Sequence, residues 1–274
     1  MTDPTVCLTF DFDAVSPWLH IDDGRNTPTN RSRGLFGAKE GAPRLLDLLA
    51  DEGIDATWFT PGHTIDSFPD VAERVVEDGH EIGHHGWSHT PPGAYDDRES
   101  ERADIERGIE RIRSLTGEEP AGYRSPSWDY SEHTVALLDE FGFTYSSSGM
   151  ASDFQPYRVH TDSAPADAAY DYGAASDLLE LPVSWQRDDY PGMAFLPDRG
   201  LADEAAVVER WRRGFDWMAD NEPDGVFVLT MHPQVMGRAH RLDRLRDLID
   251  HFRERDATFE TCRSVAERYT ESAE

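Results

Sequence analysis

Lysine is almost missing from this chain. Lys39 is the single lysine among 274 residues, and every other basic residue is arginine. Positive charge is scarce altogether: Lys and Arg total 26 against 54 Asp and Glu, a formal net charge of −28. Such an excess of one sign repels phosphates and excludes a broad nucleic-acid contact or an anionic membrane surface as partner. Cysteine is scarce as well. Cys7 and Cys262 stand near opposite ends without CxxC spacing, which excludes a disulfide framework and leaves two core thiols. No run of about 18 apolar residues occurs, which excludes an ordinary transmembrane helix. Met1–Cys7 lacks a basic stretch followed by an apolar one, so no secretory signal is read and a cytoplasmic location is expected.

What is present suffices for a folded core, with 38% hydrophobic and 11% aromatic residues. The acidic residues are spread along the chain rather than gathered in a tail. That distribution fits a surface adapted to high salt, where screening removes self-repulsion, and points to a halophilic source. An ordinary acidic cytosolic protein is the alternative.

Periodicity predicts strands at Val6–Phe10, Ala56–Phe59, Glu81–His84, Gly122–Arg124, Tyr145–Ser147, Leu179–Pro182, Val226–Met231 and Ala257–Thr261. Helices are expected at Pro43–Glu52, Asp70–Asp78, Arg98–Leu115, Ser131–Phe141, Asp203–Asn221 and Leu242–Arg255, several closed by glycine. Strand and helix alternate about seven times, which predicts parallel strands with helical crossovers, in a barrel or an open doubly wound sheet. Asp13–Gly41 and Ser148–Ala175 read as two long irregular loops. No linker or repeat divides the chain, so residues 1–274 are expected to form one catalytic domain.

Chemistry collects where these strands end. Asp11 and Asp13 follow the first, His84, His85 and His89 the third, and Arg124 the fourth. Trp185, Asp188 and Asp189 follow a sixth, and His232 the strongest. Ligands of parallel α/β proteins bind at the carboxyl ends of the strands, so the coincidence points to an enzyme. Asp11 and Asp13, two apart on extended backbone, face one side. Side by side they need a cation or a proton between them, which suggests one metal ligand and one general base, unless they merely cap a solvated turn. His85 and His89, at i and i+4, can grip one ion if the segment turns. The run His80, His84, His85, His89 does not by itself say which of them binds. Asp13, His85 and His89 together supply three ligands and leave a position for water, the pattern of a catalytic site. Arg124 can orient the Asp11 carboxylate, and His232 can serve as a general acid. Trp128 and Asp189 are candidate substrate contacts, and an indole face can stack on a sugar ring. The basic run Gly237-Arg238-Ala239-His240-Arg241 offers Arg238 to an anionic or carbonyl group of the substrate. Equally, the run could dock an acidic face of a second subunit in a homo-oligomer.

In order along the chain, Thr9-Phe10-Asp11-Phe12-Asp13, Gly79-His80-Glu81-Ile82-Gly83-His84-His85-Gly86-Trp87-Ser88-His89, Gly122-Tyr123-Arg124-Ser125-Pro126 and Leu229-Thr230-Met231-His232-Pro233 resemble the four motifs of the polysaccharide deacetylase family, the NodB homology domain. The resemblance covers about residues 5–270. It implies a distorted (β/α) barrel of about seven parallel strands and a metal-dependent hydrolase of amide bonds outside peptides. Carried over, it makes Asp11 the general base, Asp13, His85 and His89 the ligands of a divalent metal, usually zinc, His232 the general acid and Arg124 the tether of Asp11. The family's usual first motif has adjacent aspartates, whereas Phe12 separates them here. That spacing resembles a branch with intracellular peptidoglycan-deacetylase-like proteins, cyclic imide hydrolases and metal-independent allantoinases. The intact Asp13, His85 and His89 argue against the allantoinase members. Three readings therefore stand: deacetylation of an N-acetylated sugar or oligosaccharide, hydrolysis of a cyclic imide or ureide, or carbohydrate binding without catalysis.

Overall fold

The computed structural model describes residues 3–19, 26–161, 165–195 and 200–271. Its centre is two strands of unbroken burial. Strand β1, Thr5–Asp11, is buried at every residue and runs parallel to β8, Val226–Met231, also buried throughout, from the pair Thr5–Val226 to Phe10–Met231. Parallel strands covered on both faces need continuous apolar runs, which these sequences provide. The remaining strands are β2 (Thr57–Thr60), β3 (Glu81–His84), β4 (Gly122–Tyr123), β5 (Tyr145–Ser146), β6 (Tyr157–His160), β7 (Ala175–Glu180) and β9 (Thr258–Phe259). The sheet runs β6-β7-β5-β4-β3-β2-β1-β8, with β9 paired to β1, and only the β6–β7 pair is antiparallel. From β7 to β8 along that order stand seven parallel strands. The chain after β7 returns to the opposite edge through a single parallel bridge, Asp188 to Thr230. The sheet is thus curled into a barrel that this one bridge closes, the distorted barrel expected from the motifs.

The helices follow their amphipathic stripes where stripes exist. Ala42–Glu52 buries Leu45, Leu46, Leu48 and Leu49 and stops at Gly53, whose φ of 62° favours glycine. Arg98–Thr116 starts at Asp97, whose carboxylate accepts the Ser100 N–H at 2.8 Å, and buries Ile105, Ile109 and Ile112. It packs tightly on β3, because a Cβ at Gly108 would come 2.2 Å from His84 Nε2.

Two expectations need correction. The stretch Asp13–Gly41 is not irregular throughout: Pro28–Phe36 is a helix, capped by Thr27 Oγ1 accepting the Asn30 N–H, and it continues through a π-helical turn at Gly37–Gly41 into the helix beyond. Its sequence has no apolar stripe, and Gly34 is its one buried residue. What holds it is close backbone approach, since a Cβ at Gly34 would lie 2.2 Å from the Ala14 carbonyl oxygen. Hydrophobic periodicity is blind to such packing. The stretch Ser148–Ala175 likewise carries β6, and β7 begins earlier than expected, at Ala175, with its exposed first half paired to β6. The helices Gly62–Ser67 and Cys262–Glu271 were not expected. Both cysteines are buried free thiols. Among the described residues no helix is long and apolar enough to cross a membrane.

Candidate metal centre and active site

Four strands deliver the site at their carboxyl ends: β1 delivers Asp11 and Asp13, β3 His85, β4 Arg124, and β8 His232. His89 arrives by a tight turn with positive φ at Gly86 (69°) and at His89 itself (61°), a conformation that costs a histidine energy and must be imposed by its surroundings. The turn is pinned by the Trp87 N–H donating to Asp104 at 2.8 Å and by the Arg107 guanidinium 3.4 Å from the Trp87 ring centre. The rim residues enclose a cleft of about 430 Å³. Trp128 and Trp185 form one wall, with ring centres 4.5 Å apart.

Asp13 Oδ1 lies 3.4 Å from His85 Nε2 and 3.7 Å from His89 Nε2. The opposite nitrogen of His85, Nδ1, sits 2.6 Å from the Arg124 carbonyl oxygen. A carbonyl only accepts, so Nδ1 carries the hydrogen and Nε2 presents a lone pair. Asp13 Oδ1 and His85 Nε2 are both buried and have no hydrogen-bond partner. Two buried acceptors facing each other at that distance need a cation or a proton between them. Carboxylate oxygen and imidazole nitrogen are also the donor types of catalytic divalent-metal sites. The residues present therefore fit a divalent metal. Burial pushes the Asp13 carboxyl up, but the imidazoles of His89, His85 and His232 outweigh it and hold it well below the usual carboxylate range. Burial lowers the His89 pKa, which favours the neutral ring that a metal ligand needs.

The other histidines of the run are occupied elsewhere. His84 faces the Ile105 carbonyl at 3.0 Å through Nε2 and accepts the Gly86 N–H through Nδ1, and burial pushes its pKa down to about 3. His80 accepts the Ala56 N–H and stacks on Trp58.

Arg124 is fully buried with its guanidinium 4.0 Å from the Phe59 ring centre. It donates to Asp11 Oδ1 at 2.7 Å, to Thr9 Oγ1 and Ser147 Oγ at 2.8 Å each, and to the Ser147 carbonyl. One Asp11 oxygen is thereby fixed, and the other, Oδ2, lies 3.9 Å from His232 Nε2 and 4.0 Å from His85 Nε2. His232 is held from behind: Nδ1 meets Asp189 Oδ1 at 2.7 Å, and its backbone N–H donates to Asp189 Oδ2 at 2.9 Å. Burial alone would lower His232, but Asp189, Asp188 and Asp13 raise it well above the ordinary histidine value.

Asp188, Asp189 and His232 form a second group with metal-ligand atoms close together. There, however, the His232 and Asp189 atoms satisfy each other, whereas the Asp13–His85 pair is left without protein partners. Asp189 is corrected from a substrate contact to a buried support of His232, for its side chain is fully enclosed behind the imidazole. Its neighbour Asp188 lines the cleft instead, and burial with the Asp189 charge pushes its carboxyl up to about 7. Trp128 is at the cleft as expected. Arg238 is not: it stacks 3.6 Å from the Phe36 ring centre in a separate cavity. Arg241 in the same basic run is tied to Glu204. Gln234 went unnoticed in the sequence. It donates to Asp13 Oδ2 at 3.3 Å and so orients the carboxylate. Its place just after the strand ending at His232 was the signal that could have found it.

The sequence model of the family described as polysaccharide deacetylase matches residues 1–146. A peptidoglycan deacetylase of Helicobacter pylori is 35% identical over 261 residues, covering 90% of this chain and 89% of that protein. A Mycobacterium smegmatis crystal structure carrying a polysaccharide deacetylase assignment superposes with a TM-score of 0.86 at 35% identity, over 99% of this chain and 91% of that one. An allantoinase structure superposes with a TM-score of 0.74 over 97% of this chain and 89% of its own, and at 20% identity it speaks for the fold alone.

Proposed function

Because the chain belongs to the polysaccharide deacetylase family, hydrolases of carbon–nitrogen bonds outside peptides, we propose that it removes the acetyl group from an N-acetylated sugar or oligosaccharide with a divalent cation, zinc foremost, held by Asp13, His85 and His89. The observation that carries this reading is the pair Asp13 Oδ1 and His85 Nε2, buried, facing, and neither of them in a hydrogen bond. Held there, a divalent cation supplies a Lewis acid for the amide carbonyl and brings water towards neutral ionisation.

The protein's own groups divide the proton work. Asp11 Oδ2, left open while Arg124 fixes Oδ1, takes a proton from the attacking water. His232 keeps Nδ1 on Asp189 and turns Nε2 to the cleft, 3.8 Å from Asp13 Oδ2, where it hands a proton to the leaving nitrogen. Four of the five Arg124 N–H groups are taken up inside the protein, which suits it to fixing Asp11 rather than holding substrate. Trp128 and Trp185 offer ring faces for a sugar.

The cleft volume keeps one other substrate in view. About 430 Å³ suits a single sugar ring and equally a cyclic imide or ureide. The test is a hydrolysis panel of N-acetylated sugars and oligosaccharides, cyclic imides and allantoin, with and without chelator, alongside elemental analysis. Acetate release from the sugars that chelator stops is the expected result. Turnover of imides alone would transfer the same machinery to a ring amide, and turnover indifferent to chelator would overturn the metal assignment.

We also propose that the chain works in high salt. The support is its charge, 54 acidic against 26 basic residues with one lysine.

A further inference from the structure

Behind the catalytic cleft lies a cavity of about 260 Å³ that shares none of its lining residues. Its chemistry is opposite to that of the rest of the surface. Arg33, Arg238 and Arg241 line it together with one acid, Glu204, so three positive charges meet one negative. Glu204 is spoken for: it accepts from Arg241 Nε at 2.8 Å and lies 3.2 Å from His240 Nε2. Among the described residues neither Arg33 nor Arg238 has a carboxylate within ion-pair distance. Two arginines with no acid beside them among the described residues, meeting in a single cavity, leave an excess of positive charge there.

Both guanidiniums are held in place without being neutralised. Arg238 lies flat against Phe36, 3.6 Å from its centre, and Arg33 sits 5.3 Å from the Trp18 ring while donating to the Phe195 carbonyl at 3.4 Å. Stacking on a ring fixes a guanidinium and leaves its N–H edge available. Burial and the nearby charges of Arg241 and Arg33 lower the Arg238 pKa, the mark of like charges gathered without enough counter-charge. The helix Ala239–Glu254 also begins here, with no side-chain cap and no acid in its first turn, so its N-terminal end adds positive potential. Gln234, fixed to Asp13 through Nε2, lines the same cavity and keeps Oε1 buried without a partner. The remaining wall is apolar, from Met193, Phe195, Leu201 and Val235.

We propose that this cavity is an anion site for a small organic acid: a carboxylate or phosphate received by Arg33 and Arg238, with an apolar substituent against Met193 and Phe195. The general field of the protein expels anions, so an anion that binds needs a built site of this kind. Gln234 joins the site to the metal centre, since one side chain touches both.

The test uses the whole chain stripped of metal by chelator and dialysis, so that neither probe can be held at the Asp13 centre. Inorganic phosphate and isovalerate are titrated calorimetrically at constant ionic strength. Saturable binding of at least one probe is expected, weakened about tenfold or more by Arg238→Gln and by Arg33→Gln, as loss of a charge-assisted pair implies. Arg238→Lys, which keeps the charge and loses the fork, falls between. Arg113→Gln, on a distant surface pair, binds as the parent does. Tighter binding of phosphate assigns a phosphate ester, and tighter binding of isovalerate a carboxylate. No saturable binding of either, or binding indifferent to both arginine variants in proteins with the parent's circular dichroism, overturns the proposal. Because the protein is metal-free, failure here is distinct from failure of the deacetylase reading.

Discussion

Strand β3 holds two kinds of buried polar group, one at each end. At its first residue, Glu81 is buried and both oxygens are answered: the Tyr145 hydroxyl donates to Oε1 at 2.7 Å, while the Thr57 hydroxyl at 2.8 Å and the Arg263 N–H at 3.0 Å donate to Oε2. Just past its last residue, His85 presents Nε2 to Asp13 Oδ1, and both stand without a protein partner. The first end ties the strand to its neighbours and to the C-terminal helix. The second sets a carboxylate oxygen and an imidazole nitrogen 3.4 Å apart, an arrangement that calls for a cation or a proton between them. A buried carboxylate with both oxygens answered serves the fold, and one with an oxygen left open can take a ligand.

That contrast breaks most sharply at the metal end. Asp13→Asn is expected to lose bound metal by elemental analysis and to cut turnover by about 10³-fold or more. Normal metal content in that variant would remove Asp13 from the site. Asp11→Asn should keep its metal and still lose about 10²–10³ in kcat, as expected for a missing general base. Surviving activity there would sink the assignment of the base.

At the other end, Glu81→Ala leaves three donors unanswered and should cost about 3 kcal/mol in denaturant titrations, with metal content unchanged. The pH dependence of Glu81 has a definite sign. Burial raises its pKa above the usual carboxylate value, so the folded chain binds the proton more tightly than the unfolded one. Its share of stability therefore falls as pH rises from the ordinary carboxylate range through the raised value. Glu81→Gln, neutral and nearly the same shape, should lose that fall, and melting curves across pH would read it.

Asp189 is satisfied too, but its partner is the proposed general acid, His232. Asp189→Asn should lower kcat about tenfold and move the alkaline limb of the pH profile to lower pH, because His232 loses the charge that keeps it protonated. An unmoved limb with a slower rate would make Asp189 a packing residue. The smallest effect concerns the surface. Going from dilute buffer to molar salt should raise the melting temperature by several degrees as repulsion among the acidic residues is screened, and a flat response would count against adaptation to salt.

Much of the fold was legible because parallel strands buried on both faces must be apolar without interruption. Val226–Met231 announced itself in this way, as did the leucines of Ala42–Glu52. The helix Pro28–Phe36 was hidden, since it packs through Gly34 against the Ala14 backbone and carries no apolar stripe. At the site, residue types and their order pointed to the strand ends. They did not separate His84 from His85, because adjacent residues on a strand differ only in the face they occupy. Nor did they separate Asp188 from Asp189, of which one lines the cleft and the other lies behind His232.

By itself, the sequence determined which groups end the strands, since a residue's place after an apolar run is a property of local order. Tertiary structure decided which of those groups face each other and which are already satisfied. Arg124 reaches Asp11 across 113 positions and Gln234 reaches Asp13 across 221, distances along the chain that only the curl of the sheet removes. It alone sent Arg238 away from the cleft and into a basic cavity of its own, because the direction of a side chain is set by what packs around it.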